Sequence, residues 1–472
     1  MKRMLCILLI LSLLTGCGLK VVKPLPTGGE TPVAAVTSAP TTAAVTQAPA
    51  TPEPTAPPRP TLATFAPLVD PEPLFPEEIL SRDGEPVASL VRSLLEAEGL
   101  SKDAFLERFL EIIDRVDALD AAILRLSGQG RTLTADRQEK TADALMELMS
   151  QETQAALQAA YSNGTGAGED LPLGRYAASM DALLRDVQGM EGRTWAFFEL
   201  GTETARAYKT VLERFMGEPM MPLTVFHALE ELMETEAYAI NAAMRADPEA
   251  ARKKEAISFG SFDQNIRFLI EITQELCPLS DGARLPMLLA GEGGEEMSLM
   301  ELAFHYYPGM AFLKAYAARG DEAHQARWAN APDGYLVGLA VHGSYAVTAY
   351  LDEFGMDYVR YRWYEDMLDV TMTGMCALLI HYYGYSPADL AEYLKSWGAE
   401  KFADYLYGKA MSDPFESLAA AYGYWQYLDI CQAALDAGCT DERSFLRDYL
   451  AAGPAPYEPL KEYMVAKYQN QS

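Results

Sequence analysis

Apolar residues recur along most of this chain at the spacing of one helix face. Between Pro86 and Gly99, the residues Val87, Leu90, Val91, Leu94 and Leu95 fall at i, i+3, i+4, i+7 and i+8, with proline opening the pattern and glycine closing it. Ser101 then opens a second helix that carries Phe105, Phe109, Ile112, Ile113 and Val116 on one side. Ser386-Pro387-Ala388-Asp389 reads as a capping box with proline at the first helical position, and Gly398 as the stop. Alternating runs are few, and Leu285 to Ala290 is too short to build a sheet on. The pattern predicts an all-α protein: one large helical domain over residues 77–470, with no repeat of fixed period.

The first 76 residues break that pattern in two ways. Lys2 and Arg3 precede an apolar run from Met4 to Leu14, which Leu14-Thr15-Gly16-Cys17 closes. About a dozen residues are too few to cross a ~30 Å hydrocarbon layer as a helix, so 1–16 reads as an export signal. The Leu-Thr-Gly-Cys run resembles the lipobox of bacterial lipoproteins, which implies diacylglycerol on the Cys17 sulfur and cleavage before it. Several acyl chains, at about 0.8 kcal/mol for each buried CH₂, would then hold the chain at a membrane. Residues 17–76 are rich in proline, threonine and alanine. Such a segment buries too little to offset its chain entropy, so it is expected to be a disordered tether. Some fifty extended residues at ~3.1 Å each could reach about 150 Å.

Charge and cysteines narrow the function classes. The chain has 472 residues and a formal charge of −29, and loss of Lys2 and Arg3 with the signal makes it −31. Such a surface repels phosphate backbones, so nucleic acid is not an expected partner. Cys277, Cys376, Cys431 and Cys439 show no metal-like spacing. They read as buried thiols with no disulfide framework.

In the C-terminal half, five segments in order resemble the bacterial family known as domain of unknown function 885, a helical, zincin-like group. Phe304-His305-Tyr306-Tyr307-Pro308-Gly309-Met310 resembles its His-Glu-x-Tyr-Pro-Gly-His motif, and His342-Gly343-Ser344-Tyr345 its Glu-Gly-Trp-Ala segment. His381-Tyr382-Tyr383-Gly384-Tyr385-Ser386 resembles its His-x-x-Gly-Trp-Thr run, and Tyr422-Gly423-Tyr424-Trp425-Gln426 a Tyr-x-x-Gly-Gln-like segment. The stretch from Phe445 to Pro456 is similar to a near-terminal segment that ends in Gly-Pro-Ala-Pro. Pro172-Leu173-Gly174-Arg175-Tyr176 adds a weaker upstream match, and the resemblance is strongest over 301–463.

The resemblance implies a zincin fold without its metal. A zincin needs two neutral imidazoles, a carboxylate ligand and a glutamate base. The aligned histidine positions hold Phe304 and Met310, the base position holds His305, and the third-ligand position holds His342. A benzyl ring offers no lone pair, and a thioether is a poor partner for zinc. The family's aspartate four residues before His381 is Ala377. No catalytic residue and no cofactor are therefore expected. His305, Tyr307, His342, His381, Tyr422 and Gln426 are the expected lining of a former cleft that binds a peptide or protein partner. Two alternatives stand beside this reading. His305, His342 and His381 could form a rebuilt zinc site in an active hydrolase, or the chain could be a structural envelope lipoprotein with no ligand. Either way the expected location is the bacterial cell envelope, lipid-anchored on the extracytoplasmic face.

Overall fold

The computed structural model describes residues 62, 65, 73–78, 80, 87–97, 99–162, 171–249, 261–274, 277, 298–353 and 358–469. The expected export signal, Cys17, most of the expected tether and the Leu285–Ala290 run lie outside the described residues.

The described chain is helix after helix, and no residue among the described ones is in a strand. Five helices come first: α1 (Val87–Glu96), α2 (Lys102–Gly128), α3 (Ala135–Leu148), α4 (Gln151–Ser162) and α5 (Leu173–Gly189). Then come α6 (Thr202–Met216), α7 (Pro222–Ala246) and α8 (Phe262–Thr273). Four shorter or central helices follow: α9 (Leu299–His305), α10 (Met310–Ala317), α11 (Glu322–Ala329) and α12 (Asp333–Glu353). The last six are α13 (Tyr358–His381), α14 (Pro387–Lys395), α15 (Ala403–Ser412), α16 (Glu416–Asp436), α17 (Glu442–Ala452) and α18 (Tyr457–Gln469).

Local chemistry sets many of these boundaries. The Ser101 hydroxyl accepts the Ala104 amide at the start of α2, and Ser386 with Asp389 forms the reciprocal capping box of α14. Phe105, Phe109, Ile112, Ile113 and Val116 are all buried, as their spacing requires. The apolar stripes of α1 to α5 close on one another around Val91, Phe109, Ile113, Tyr176 and Leu183.

The remaining helices enclose two further cores, and α12, α13 and α16 run through their middle. These three carry apolar residues over most of their circumference and are largely buried. Helix α13 packs on α7 and α16, and α16 on α12. The α12–α16 crossing is backbone against backbone. A Cβ on Gly423 would lie 2.0 Å from the Gly334 carbonyl oxygen, and one on Gly338 would lie 2.3 Å from the Gly423 carbonyl carbon. Only glycine permits that approach.

The expected boundary at residue 77 falls inside packed chain. Phe75 is fully buried, with its ring 4.1 Å from that of Phe197, and Phe65 is buried edge-on to Tyr335. Next to Phe75, Glu77 meets Arg193 at 2.8 Å, and both side chains are essentially inaccessible to water. Arg193 also donates to the carbonyls of Thr132, Trp195 and Met411. It therefore ties the N-terminal helices to the rest through a single guanidinium. Arg137 makes a parallel link, donating to Glu416 at 2.7 Å and to the Leu80 carbonyl.

Cys277, Cys376, Cys431 and Cys439 are free and buried. Burial pushes the Cys277 and Cys376 thiols up to about 12, which leaves them protonated and unreactive.

Candidate functional site

The motif residues 304–310 form the link between α9 and α10. Helix α9 ends at His305 and α10 starts at Met310, with a cis Tyr307–Pro308 bond between them. The link is tight, since a Cβ on Gly309 would sit 1.7 Å from the Phe304 carbonyl oxygen. Tyr307 is fully buried and its hydroxyl donates to the Cys277 carbonyl, so it braces the link from inside. Phe304 is half-buried and packs against both neighbouring cores, while Met310 packs against one of them. His305 is exposed at the helix end, edge-on to Phe304. Pro308 lies under Gly343 of α12, 3.2 Å from where a Cβ would be. The first two motif segments do meet in space.

The histidines do not share one environment. His381, at the end of α13, has no exposed surface, and both of its ring nitrogens are used. Its Nδ1 accepts the Phe197 amide at 3.2 Å, which leaves the proton on Nε2 to be donated to the Ala410 carbonyl at 3.1 Å. Its ring packs 4.6 Å from Phe197 and 5.4 Å from Tyr208. Burial drives its pKa well below 6.5, and the nearby Arg193 charge adds to that. His381 is a neutral structural strut with no lone pair left for a metal. Among the described residues, no three His, Cys, Asp or Glu side chains are grouped to hold a metal ion. The rebuilt site from His305, His342 and His381 is not assembled.

Tyr422 and Gln426 do stand together on α16, as their i, i+4 spacing requires. The Gln426 amide donates to Glu218 at 2.7 Å, and the other Glu218 oxygen accepts the Tyr457 amide at 2.9 Å. Tyr422 lies flat on Trp425, with centroids 5.6 Å apart. Burial, with help from Glu218, pushes its hydroxyl up to about 12. Both residues are buried, and Gln426, through Glu218, fastens α16 to the segment after α6 and to the start of α18.

His342 is different. It faces α16 and α17, with its ring 4.1 Å from Tyr427 and only 2 % of its surface exposed. Burial lowers its pKa to about 3, so the imidazole is neutral. Its Nδ1 is buried and has no hydrogen-bond partner. The nearest carboxylate oxygen, Glu442 Oε1 in the first turn of α17, is 3.6 Å away, beyond hydrogen-bond reach. These two groups line an open cleft of about 250 Å³ with Tyr345, Tyr350, Arg443 and Leu446. Arg443 leans on the Tyr350 hydroxyl at 3.4 Å. Glu442 is half-exposed, and partial desolvation holds its carboxyl above its usual range.

Sequence reasoning found His342 and missed Glu442. In the sequence, Glu442 is an acidic residue in a helix's first turn, where the macrodipole alone explains it. Nothing marks its approach to a residue one hundred positions earlier. His227 and His324 are local: the first meets Glu230 at 3.0 Å on α7, and the second reaches the Tyr316 carbonyl.

No protein-family model matches this sequence, and no curated protein matches it. Among solved structures it is similar to a candidate lipoprotein from Colwellia psychrerythraea. The TM-score is 0.55 at 11% identity, over 83% of this chain and 81% of that one. A candidate lipoprotein of unknown function from Shewanella oneidensis aligns over 83% of this chain and 82% of its own, with TM-score 0.42 and 13% identity. The first of these shares the fold.

Proposed function

We propose that this chain is a lipoprotein of the bacterial envelope, anchored on the extracytoplasmic face through Cys17. Its helical domain is a non-hydrolytic relative of the helical zincin-like group and binds a peptide ligand at the His342 cleft. The export signal and the Leu14-Thr15-Gly16-Cys17 run support the anchor. No helix of the described residues is long and apolar enough to cross a membrane. The fold shared with a candidate lipoprotein is in keeping with it.

One observation carries the non-hydrolytic reading. Where the resemblance would place metal ligands stand Phe304 and Met310, and the main chain consumes both nitrogens of His381. Zinc needs three or four protein donors converging at ~2.0–2.3 Å, and this donor set does not provide them. His342 lines an open cleft, and its buried Nδ1 has no hydrogen-bond partner.

Two measurements test the proposal. Metabolic labelling with radioactive palmitate should tag the wild-type chain, and Cys17→Ser should abolish the label and release the protein from the membrane fraction. A Cys17→Ser variant that stays membrane-bound overturns the anchor. The detergent-extracted wild type should carry sub-stoichiometric zinc by elemental analysis and show no chelator-sensitive cleavage of a peptide library. Stoichiometric zinc that disappears in His305→Ala overturns the non-hydrolytic reading.

A further inference from the structure

The cleft at His342 has a recognisable chemistry. A buried polar atom left without a partner costs about 1–3 kcal/mol, so the unpartnered His342 Nδ1 is a cost that a ligand in the adjoining space would remove. This nitrogen and Glu442 Oε1 are 3.6 Å apart, and with the ring proton on Nε2 both are acceptors. That gap is too long for one to bond the other, and short enough for a single donor atom to lie ~2.9 Å from both. Among the described residues the Glu442 carboxylate has no cationic partner, its neighbour His342 being neutral. The walls are tyrosine rings: Tyr345 lines the cleft, and Tyr427 backs His342. Aromatic rings near a carboxylate favour a cation.

We propose that the cleft is a subsite for a primary ammonium group, seated between His342 Nδ1 and Glu442 and best supplied by the amino terminus of a peptide. This names the ligand class at the cleft of the preceding reading and rests on that reading for its location. An ammonium offers three N–H donors. One meets the imidazole lone pair when the ring proton is on Nε2, and a second meets the carboxylate. At a peptide amino terminus, the first carbonyl oxygen lies two bonds beyond the carbon that bears the ammonium. Arg443 lines the same cleft beside Glu442 and presents a guanidinium suited to that oxygen. A lysine side chain carries the same ammonium without that carbonyl, so it leaves Arg443 unused. A cleft of about 250 Å³ is filled by one or two residues, with the rest of a peptide running into solvent.

The test uses the detergent-extracted full chain and three probes: Ala-Ala, N-acetyl-Ala-Ala and Nα-acetyl-lysine amide. Calorimetric titration should show binding of Ala-Ala, weaker binding of the lysine derivative and none of the blocked dipeptide. Glu442→Gln should weaken Ala-Ala roughly tenfold or more, as loss of a charge-assisted hydrogen bond requires. Because Glu442 is at the surface, its thermal midpoint should stay near wild type. Arg443→Gln should lower Ala-Ala affinity and leave the lysine derivative unchanged. Preference for the lysine derivative reassigns the source of the ammonium and overturns the amino-terminal assignment. Equal binding of blocked and free dipeptide, an indifferent Glu442→Gln, or no binding of either amine overturns the subsite itself. Zinc content and cleavage decide the non-hydrolytic reading separately, so the two failures are distinguishable.

Discussion

Replacing Arg193 with methionine should cost about 3–5 kcal/mol of stability, the range for removing one partner of a buried ion pair. The variant strands Glu77, whose side chain is only 2% exposed. It also removes the donors that satisfy the carbonyls of Thr132, Trp195 and Met411. The guanidinium face 4.3 Å from the Phe197 ring is lost as well. Because Arg193 joins the N-terminal helices to α15, the loss should show first as separation of the two parts. Limited proteolysis should then cut near residues 190–196 before global unfolding. Adding Glu77→Gln should recover part of the loss, since the stranded charge disappears, and chemical denaturation of the single and double variants measures that coupling. A single variant within 1 kcal/mol of wild type would show that the pair contributes little.

Acidification should have a comparable effect through the buried histidines. The folded state holds His342 neutral, with its pKa lowered from 6.5 to about 3. A depressed histidine contributes stability that is fully present above pH 6.5 and is lost as pH falls toward 3. At about 1.4 kcal/mol per pKa unit, roughly 3 kcal/mol should be gone by pH 4.5 and about 5 kcal/mol by pH 3. His381 acts in the same direction, because burial and the Arg193 charge both oppose its protonation. Glu236 acts in the opposite direction. It is buried between α7 and α13, and one of its oxygens accepts the Thr371 hydroxyl at 3.0 Å. Burial raises its pKa well above 4.5, so its unfavourable contribution grows as pH rises through that range and vanishes in acid. Urea unfolding at pH 7.0, 5.5 and 4.5 should therefore show a net fall with acid. The fall should steepen in Glu236→Gln and flatten in His342→Phe. A pH profile unchanged by His342→Phe would mean that this imidazole is not held neutral by the fold.

The helices were largely legible because their causes are local. Ser101, Ser386 and the i, i+3, i+4 spacing of Val87 to Leu95 act within one or two turns, and the structure places those helices accordingly. The stop assigned to Gly398 lies three residues past the end of α14, where its left-handed φ of 65° turns the chain. Met216 and Met220 are buried in the core, while Met221, next to them, is 71% exposed. The buried aromatics Phe65 and Phe75 were missed because each stands alone in a proline-rich context, where no periodicity marks a buried side.

The site divides in the same way. Residue types alone set the expectation that Phe304 and Met310 are poor stand-ins for imidazole ligands, and that Tyr422 and Gln426 face one side of a helix. Only the tertiary structure decided that Tyr307 and His381 are buried braces bonded to carbonyls far along the chain, and that Gln426 fastens helices together through Glu218. It alone brought Glu442 to His342 and left 3.6 Å between them. The physical reason is range. Helix formation, capping and the donor capacity of a side chain are settled within a few residues of sequence. Burial, the use of both lone pairs or protons of an imidazole, and the gap between two acceptors depend on backbones that meet only when distant helices pack.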